Sequence, residues 1–137
     1  MAPLPIIIDC DPGQDDAIAL LRALAAPGEL EVLAITAVAG NVPLRLTEYN
    51  ARRVVRLAGR DDVPVFAGCD RPLLRTLETA EYVHGKPGLD GAELAAPGFP
   101  LGPGHAVDAI IDLVMARPAG AVTLCPIGPL TNIAMAL

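Results

Sequence analysis

Four carboxylates crowd one short stretch of this chain: Asp9, Asp11, Asp15 and Asp16 fall within residues 9–16, interrupted only by Cys10, Pro12, Gly13 and Gln14. The nearest basic residue in sequence is Arg22, so no local side chain neutralises them. Like charges forced together either raise one another's pKa or take up a cation. The Pro12-Gly13 turn can aim several of these oxygens at one point. With no His nearby, and with Cys10 alternating away from its Asp neighbours on a strand, zinc is disfavoured. Calcium tolerates the irregular, high-coordination shell that carboxylates, a backbone carbonyl, water and a sugar diol would make, whereas magnesium demands a stricter octahedron. Calcium is therefore the ion expected. Any one of these Asp residues alone reads better as a helix cap or a solvated loop charge. All four around a Pro-Gly turn, at the carboxyl end of an apolar run, read as a site.

The elements that must position these groups alternate in type. Residues 5–9 form a short β-branched run that ends in the acidic cluster, a buried strand followed by a loop. Asp15 and Asp16 precede the strong helix formers of residues 17–24, where carboxylates suit a helix N-terminus. Residues 30–38 predict a second strand closing at Gly40-Asn41, and residues 43–58 a helix with Ala51, Val54, Val55 and Ala58 on one side. Residues 63–66 predict a third strand, followed by a long Gly- and Pro-rich loop to about residue 103 that contains Tyr82-Val83-His84-Gly85. Val107, Ile110, Ile111 and Val114 give the clearest helical stripe, over residues 105–117. Residues 121–125 predict a fourth strand, 126–129 a turn and 130–137 the opening of another helix. Strands alternating with helices predict an open, mainly parallel, Rossmann-like α/β sheet covered on both faces. Ligands bind outside the carboxyl ends of such strands, so the loops after strands one, two and four should converge.

Composition narrows the partners. The 137 residues are 53% hydrophobic and 19% charged, as in one compact soluble domain. A net charge of -6 opposes nucleic-acid backbones and anionic membranes, and 3% aromatic residues with no Trp make no stacking platform for single strands. The expectation is no nucleic acid and no membrane. Three scattered cysteines, Cys10, Cys69 and Cys125, suggest neither a disulfide framework nor a zinc knuckle. With no export signal in the N-terminal residues, a cytoplasmic location is expected.

The segment Asp9-Cys10-Asp11-Pro12-Gly13-Gln14-Asp15-Asp16-Ala17 resembles the D-x-D-x-G-x-D-D signature of the inosine-uridine nucleoside hydrolases. The resemblance extends in family order through Ala34-Ile35-Thr36-Ala37-Val38-Ala39-Gly40-Asn41, Ala67-Gly68, Val83-His84-Gly85 with Gly88-Leu89, and Gly128-Pro129-Leu130-Thr131-Asn132-Ile133-Ala134. It implies hydrolysis of the N-glycosidic bond of purine or pyrimidine ribonucleosides to ribose and free base, in nucleoside salvage, with calcium holding the ribose hydroxyls and the attacking water. Asp11 matches the position of water activation and calcium contact, Asp16 a bidentate calcium ligand, and Asp15 the carboxylate on the ribose diol. Asn41 matches a polar group beside water and sugar, Asp9 a support residue, and His84 a base-side histidine. Ile127 stands where many relatives have Thr, and the resemblance implies its backbone carbonyl as a calcium ligand.

Family members continue well beyond residue 137 and supply a further calcium-binding Asp and the leaving-group contacts. The chain is accordingly expected to be the N-terminal part, residues 1–137, of a single nucleoside hydrolase domain, cut after about four strands. A homo-oligomer or a completing C-terminal segment would cover its open edge. Two other functions are carried forward: a non-catalytic remnant that keeps the fold and part of the calcium and ribose site, and an aspartate-nucleophile phosphatase using Asp9.

Overall fold

A computed structural model describes residues 2–137. The elements run β1 (Leu4–Cys10), α1 (Gln14–Leu24), β2 (Leu30–Ala37), α2 (Leu44–Leu57), β3 (Val65–Ala67), α3 (Glu81–His84), α4 (Ala106–Met115), β4 (Thr123–Pro126) and α5 (Thr131–Ala136). The four strands form one parallel sheet in the order β3-β2-β1-β4. This is the open, mainly parallel α/β architecture predicted from the alternation of patterns.

Consecutive isoleucines make β1 a strand buried on both faces, as a central parallel strand must be. Ile6, Ile8 and Cys10 face one way, into a core with Leu20 and Leu24 of α1 and Ala51, Val54 and Val55 of α2. Ile7 faces the other way, onto Ala34 of β2 and Ile110 of α4. Alternation therefore puts Cys10 in the first core and turns Asp9 to the opposite face. The chain steps outward from β1 to β2 to β3, then returns to lay β4 on the far side of β1. Strand order reverses between β1 and β4, which is where such sheets open a crevice at their carboxyl ends. Asp9 lies at that point, in register with Thr36 of β2 on one side and Pro126 of β4 on the other.

The structure differs from the sequence expectations chiefly at element ends. The third strand begins at Val65 rather than residue 63, because Pro64 has no N–H to donate, although its carbonyl accepts from Ile35 at 3.0 Å. The fourth begins at Thr123 rather than residue 121, since the Ala121 N–H is spent on Pro118 in a turn. The helix expected over 105–117 spans Ala106–Met115, with His105 as its cap: His105 Nδ1 accepts from Val107 N–H at 3.2 Å. The long loop contains one helical turn, α3, that the Gly-rich composition concealed; Gly85 ends it at φ 76. No helix among the described residues is long and apolar enough to cross a membrane.

Candidate functional site

The carboxyl end of β1 carries the acidic cluster in three layers. Asp9 is lowest and has no exposed surface. Its Oδ1 accepts from Thr36 Oγ1 at 2.6 Å and from Asn132 Nδ2 at 2.8 Å, while its Oδ2 is buried with no partner. Burial raises its pKa; the Thr36 and Asn132 hydrogen bonds oppose that rise, and nearby Asp11 adds to it. With both oxygens enclosed, Asp9 presents no nucleophile to solvent, which removes the basis for an aspartyl-phosphate reading.

Asp11 sits where β1 has just ended, 5% exposed. Asn41, in the loop after β2, grips it twice: the Asn41 N–H donates to Asp11 Oδ2 at 2.8 Å and Asn41 Nδ2 donates to the Asp11 carbonyl at 2.9 Å. Two glycines leave the space this carboxylate fills. A Cβ on Gly40 would collide with Asp11 Oδ2 and with Pro129, and one on Gly128 would come within 2.8 Å of Asp11 Oδ1. The loops after β1, β2 and β4 thus close around one side chain, as the strand order requires.

Asp15 and Asp16 occupy the first turn of α1, and neither caps it; the N-cap is Gly13, with no side-chain cap hydrogen bond. Successive helical residues are separated by about 100° around the axis, so one of two neighbours turns inward. Asp16 is the buried one, 4% exposed, and Asp15 is exposed beside it. Burial first, then the charges of Asp11 and Asp15, push the Asp16 carboxyl up to about 7, and a hydrogen bond with Asp11 adds to the rise. Asp11 is also raised by burial, and its bonds to Asn41 and Asp16 oppose the rise. Burial thus raises both carboxyl groups, Asp16 the more clearly. Among the described residues, none of the ion pairs involves Asp9, Asp11, Asp15 or Asp16.

The two remaining predicted residues flank this group. His84, at the end of α3, packs against Gly13, and its Nδ1 hydrogen-bonds Gln14 Oε1. That contact brings the loop carrying His84 to the N-terminus of α1. Ile127 lies in the turn after β4; its N–H and that of Gly128 donate to the Asp9 carbonyl at 2.8 and 3.2 Å.

No three His, Cys, Asp or Glu side chains among the described residues form a ready metal-binding group. The donors present nevertheless fit a hard divalent cation: two buried carboxyl groups, all-oxygen chemistry, no ion pair to either, and a glycine-lined cradle around one of them. Asp11 and Asp16 are the side chains that could hold it.

Two residues of the site had no assigned role in the sequence reading. Thr36 is a buried hydroxyl in an apolar strand, and that incongruity was the available signal; the structure pairs it directly with Asp9 in register. Asn132 lies at the other end of the chain and is fully buried. Its only sequence signal was an amide three residues beyond a Gly128-Pro129 turn at the carboxyl end of a strand.

An open parallel sheet with helices on both faces and an acidic cluster at its topological switch point defines a doubly wound α/β protein with a candidate ligand site at the sheet crest. More particularly, the profile of the inosine-uridine preferring nucleoside hydrolases matches residues 6–137, and the chain belongs to that family. The pyrimidine-specific ribonucleoside hydrolase RihA of Photobacterium profundum is 50% identical over 133 residues, which cover 97% of this chain and 42% of that protein. The inosine-uridine preferring nucleoside hydrolase of Crithidia fasciculata is 48% identical over 135 residues, 98% of this chain and 42% of its own. The solved structure of a purine-preferring ribonucleoside hydrolase from Gardnerella vaginalis matches with a TM-score of 0.89 at 32% identity, over 97% of this chain and 43% of that one. The chain thus spans less than half the length of these relatives.

Proposed function

We propose that the protein carrying this chain hydrolyses the N-glycosidic bond of ribonucleosides to ribose and free base, with calcium held at Asp11 and Asp16. The observation that carries this reading is the buried pair Asp11 and Asp16, the first of them set in a cradle that Gly40 and Gly128 leave open. When bound, calcium supplies an anchor for vicinal ribose hydroxyls and acidifies water. Asp11 accepts the proton of the attacking water, its carboxylate oriented by the Asn41 N–H. Asp15, exposed above the pair, hydrogen-bonds the ribose diol, and Asn41 offers its remaining amide valences to water and sugar. The Ile127 carbonyl, in the turn against Asp9, is a further oxygen donor. As the glycosidic bond lengthens, positive charge grows on the ribosyl carbon, and these carboxylates stabilise it. Asp9 supports Asp11 from below, and His84 stands on the base side.

The relatives bear different base preferences in their names, pyrimidine-specific, inosine-uridine preferring and purine-preferring, yet match the same stretch. That supports a shared sugar and metal end in residues 1–137, as the N-terminal part of one nucleoside hydrolase domain, with base selection set elsewhere. β4 pairs only with β1 among the described strands, and Met115, Leu130 and Leu137 are exposed nearby. A further segment or a second copy would cover that side.

Calorimetric titration with calcium tests the metal assignment. One ion bound by the wild-type chain, with affinity lost in Asp16→Asn, is expected; an isotherm unchanged by that substitution would remove Asp16 from the site.

A further inference from the structure

One buried side chain touches the carboxyl ends of three strands at once. Asn132, on α5, donates from Nδ2 to Asp9 Oδ1 of β1 at 2.8 Å and to the Ala37 carbonyl of β2 at 3.1 Å. Its Oδ1 accepts from the Cys69 N–H, just past β3, at 2.8 Å. Both amide protons and one oxygen lone pair are thereby used, and only one orientation of the amide works. Rotated by half a turn, the oxygen would face a carboxylate and a carbonyl while the NH2 faced an N–H. Gly68 leaves the room for this group: a Cβ there would collide with the Asn132 amide.

We infer that Asn132 is the positioning residue of the acidic site, keying the ends of β1, β2 and β3 to α5 so that Asp11 stands at a fixed height in its cradle. The route to Asp11 is short. Asn132 fixes the Asp9 carboxylate; the Asp9 carbonyl receives the Ile127 and Gly128 N–H groups; Gly128 packs against the Asp11 backbone and Oδ1. Asn41, which grips Asp11 directly, follows Ala37 by four residues, so the Ala37 carbonyl bond steadies that loop as well. A merely space-filling residue would need none of these three bonds. Without Asn132 the buried Asp9 carboxylate, its other oxygen already unpartnered, would keep the Thr36 hydroxyl as its one side-chain donor and lose its tie to α5. The inference rests on the reading of Asp11 and Asp16 as the cation site.

Amide hydrogen exchange followed by NMR decides it, on the wild-type chain and on Asn132→Ala, Asn132→Asp and Gly68→Ala. Asn132→Asp keeps the shape and puts an acceptor where the two N–H donors were; Gly68→Ala displaces the amide without altering it. The expected result is selective: the Cys69, Ile127, Gly128 and Asn41 N–H groups exchange about tenfold faster or more, while the Ile35 N–H, bonded to Pro64 in the middle of the sheet, keeps its protection. Calcium affinity falls by about tenfold or more in the same variants, the usual scale for residues that orient metal ligands. Exchange accelerated equally at all these amides, or unchanged at Cys69, Ile127 and Gly128 in the variants that fold, would overturn the positioning role. The exchange pattern decides this point even if the wild-type chain takes up no calcium, a result that would count against the proposed metal site alone.

Discussion

Asn41 holds Asp11 at both ends, its backbone N–H on the carboxylate at 2.8 Å and its side-chain amide on the carbonyl at 2.9 Å. The first bond belongs to the main chain and survives any substitution that keeps the loop; the second belongs to Asn alone. Asn41→Ala therefore leaves Asp11 ionisable but loosely aimed. Calcium affinity should fall by about tenfold, the scale for orienting contacts, with a stability cost of roughly 1 kcal/mol for one lost hydrogen bond. Titration calorimetry and thermal melts read the two separately, and calcium affinity equal to wild type would show that the side-chain grip is dispensable.

The Asp16 carboxyl gives a pH signature. Its ordinary pKa is 3.8 and its pKa in the fold is about 7, burial being the main cause. As pH rises from about 4 to about 7 the unfolded chain has released this proton and the folded one has not, so the folded state binds more protons and stability falls; above the folded pKa the slope vanishes. Asp9 and Asp11 are shifted in the same direction. In EDTA, the thermal midpoint should therefore rise as pH is lowered from about 8 to about 5, and saturating calcium should flatten that dependence. A midpoint that falls over this range in EDTA would contradict the buried, uncompensated pair.

Gly40 tests the cradle. Its φ is not in the left-handed region, so an added methyl group is opposed by contact rather than by backbone strain. The contacts it meets are Asp11 Oδ2 and the Pro129 ring. Gly40→Ala should cost about 1–3 kcal/mol, as overpacking does, and abolish calcium binding. Gly28→Ala, where a Cβ meets nothing within 4 Å, should leave both unchanged.

Thr36→Val removes the 2.6 Å donor from Asp9 without changing the shape of the side chain. The carboxylate already lacks a partner at Oδ2, so stability at neutral pH should drop by about 1–3 kcal/mol, the cost of leaving a buried acceptor short. Chemical denaturation measures this; a change below about 0.5 kcal/mol would mean that water or Asn132 replaces the hydroxyl.

The architecture and the acidic loop were legible in the sequence because both are local. Three isoleucines before Asp9 announce a buried strand, and the helical stripe of Val107, Ile110 and Val114 announces α4. Which carboxylate of Asp15 and Asp16 turns inward depended on where α1 starts, a matter of one residue. Asn132 was hidden for another reason: its partner Asp9 lies 123 residues away, and only the return of β4 to the flank of β1 brings them together. Gly40 and Gly128 read as turn formers, and their use as space for Asp11 exists only once three loops have converged. The helical turn ending at His84 was masked by glycines and prolines that delimit it rather than prevent it.

The central claim is that Asp11 activates water for cleavage of a ribonucleoside. Ribose release from inosine and from uridine, with calcium, should be measured on the protein and on its Asp11→Ala variant. The account predicts calcium-dependent release by the wild type and a loss of about 10²–10⁴-fold in the variant, the usual scale for a general base. Equal rates from the two proteins would contradict it.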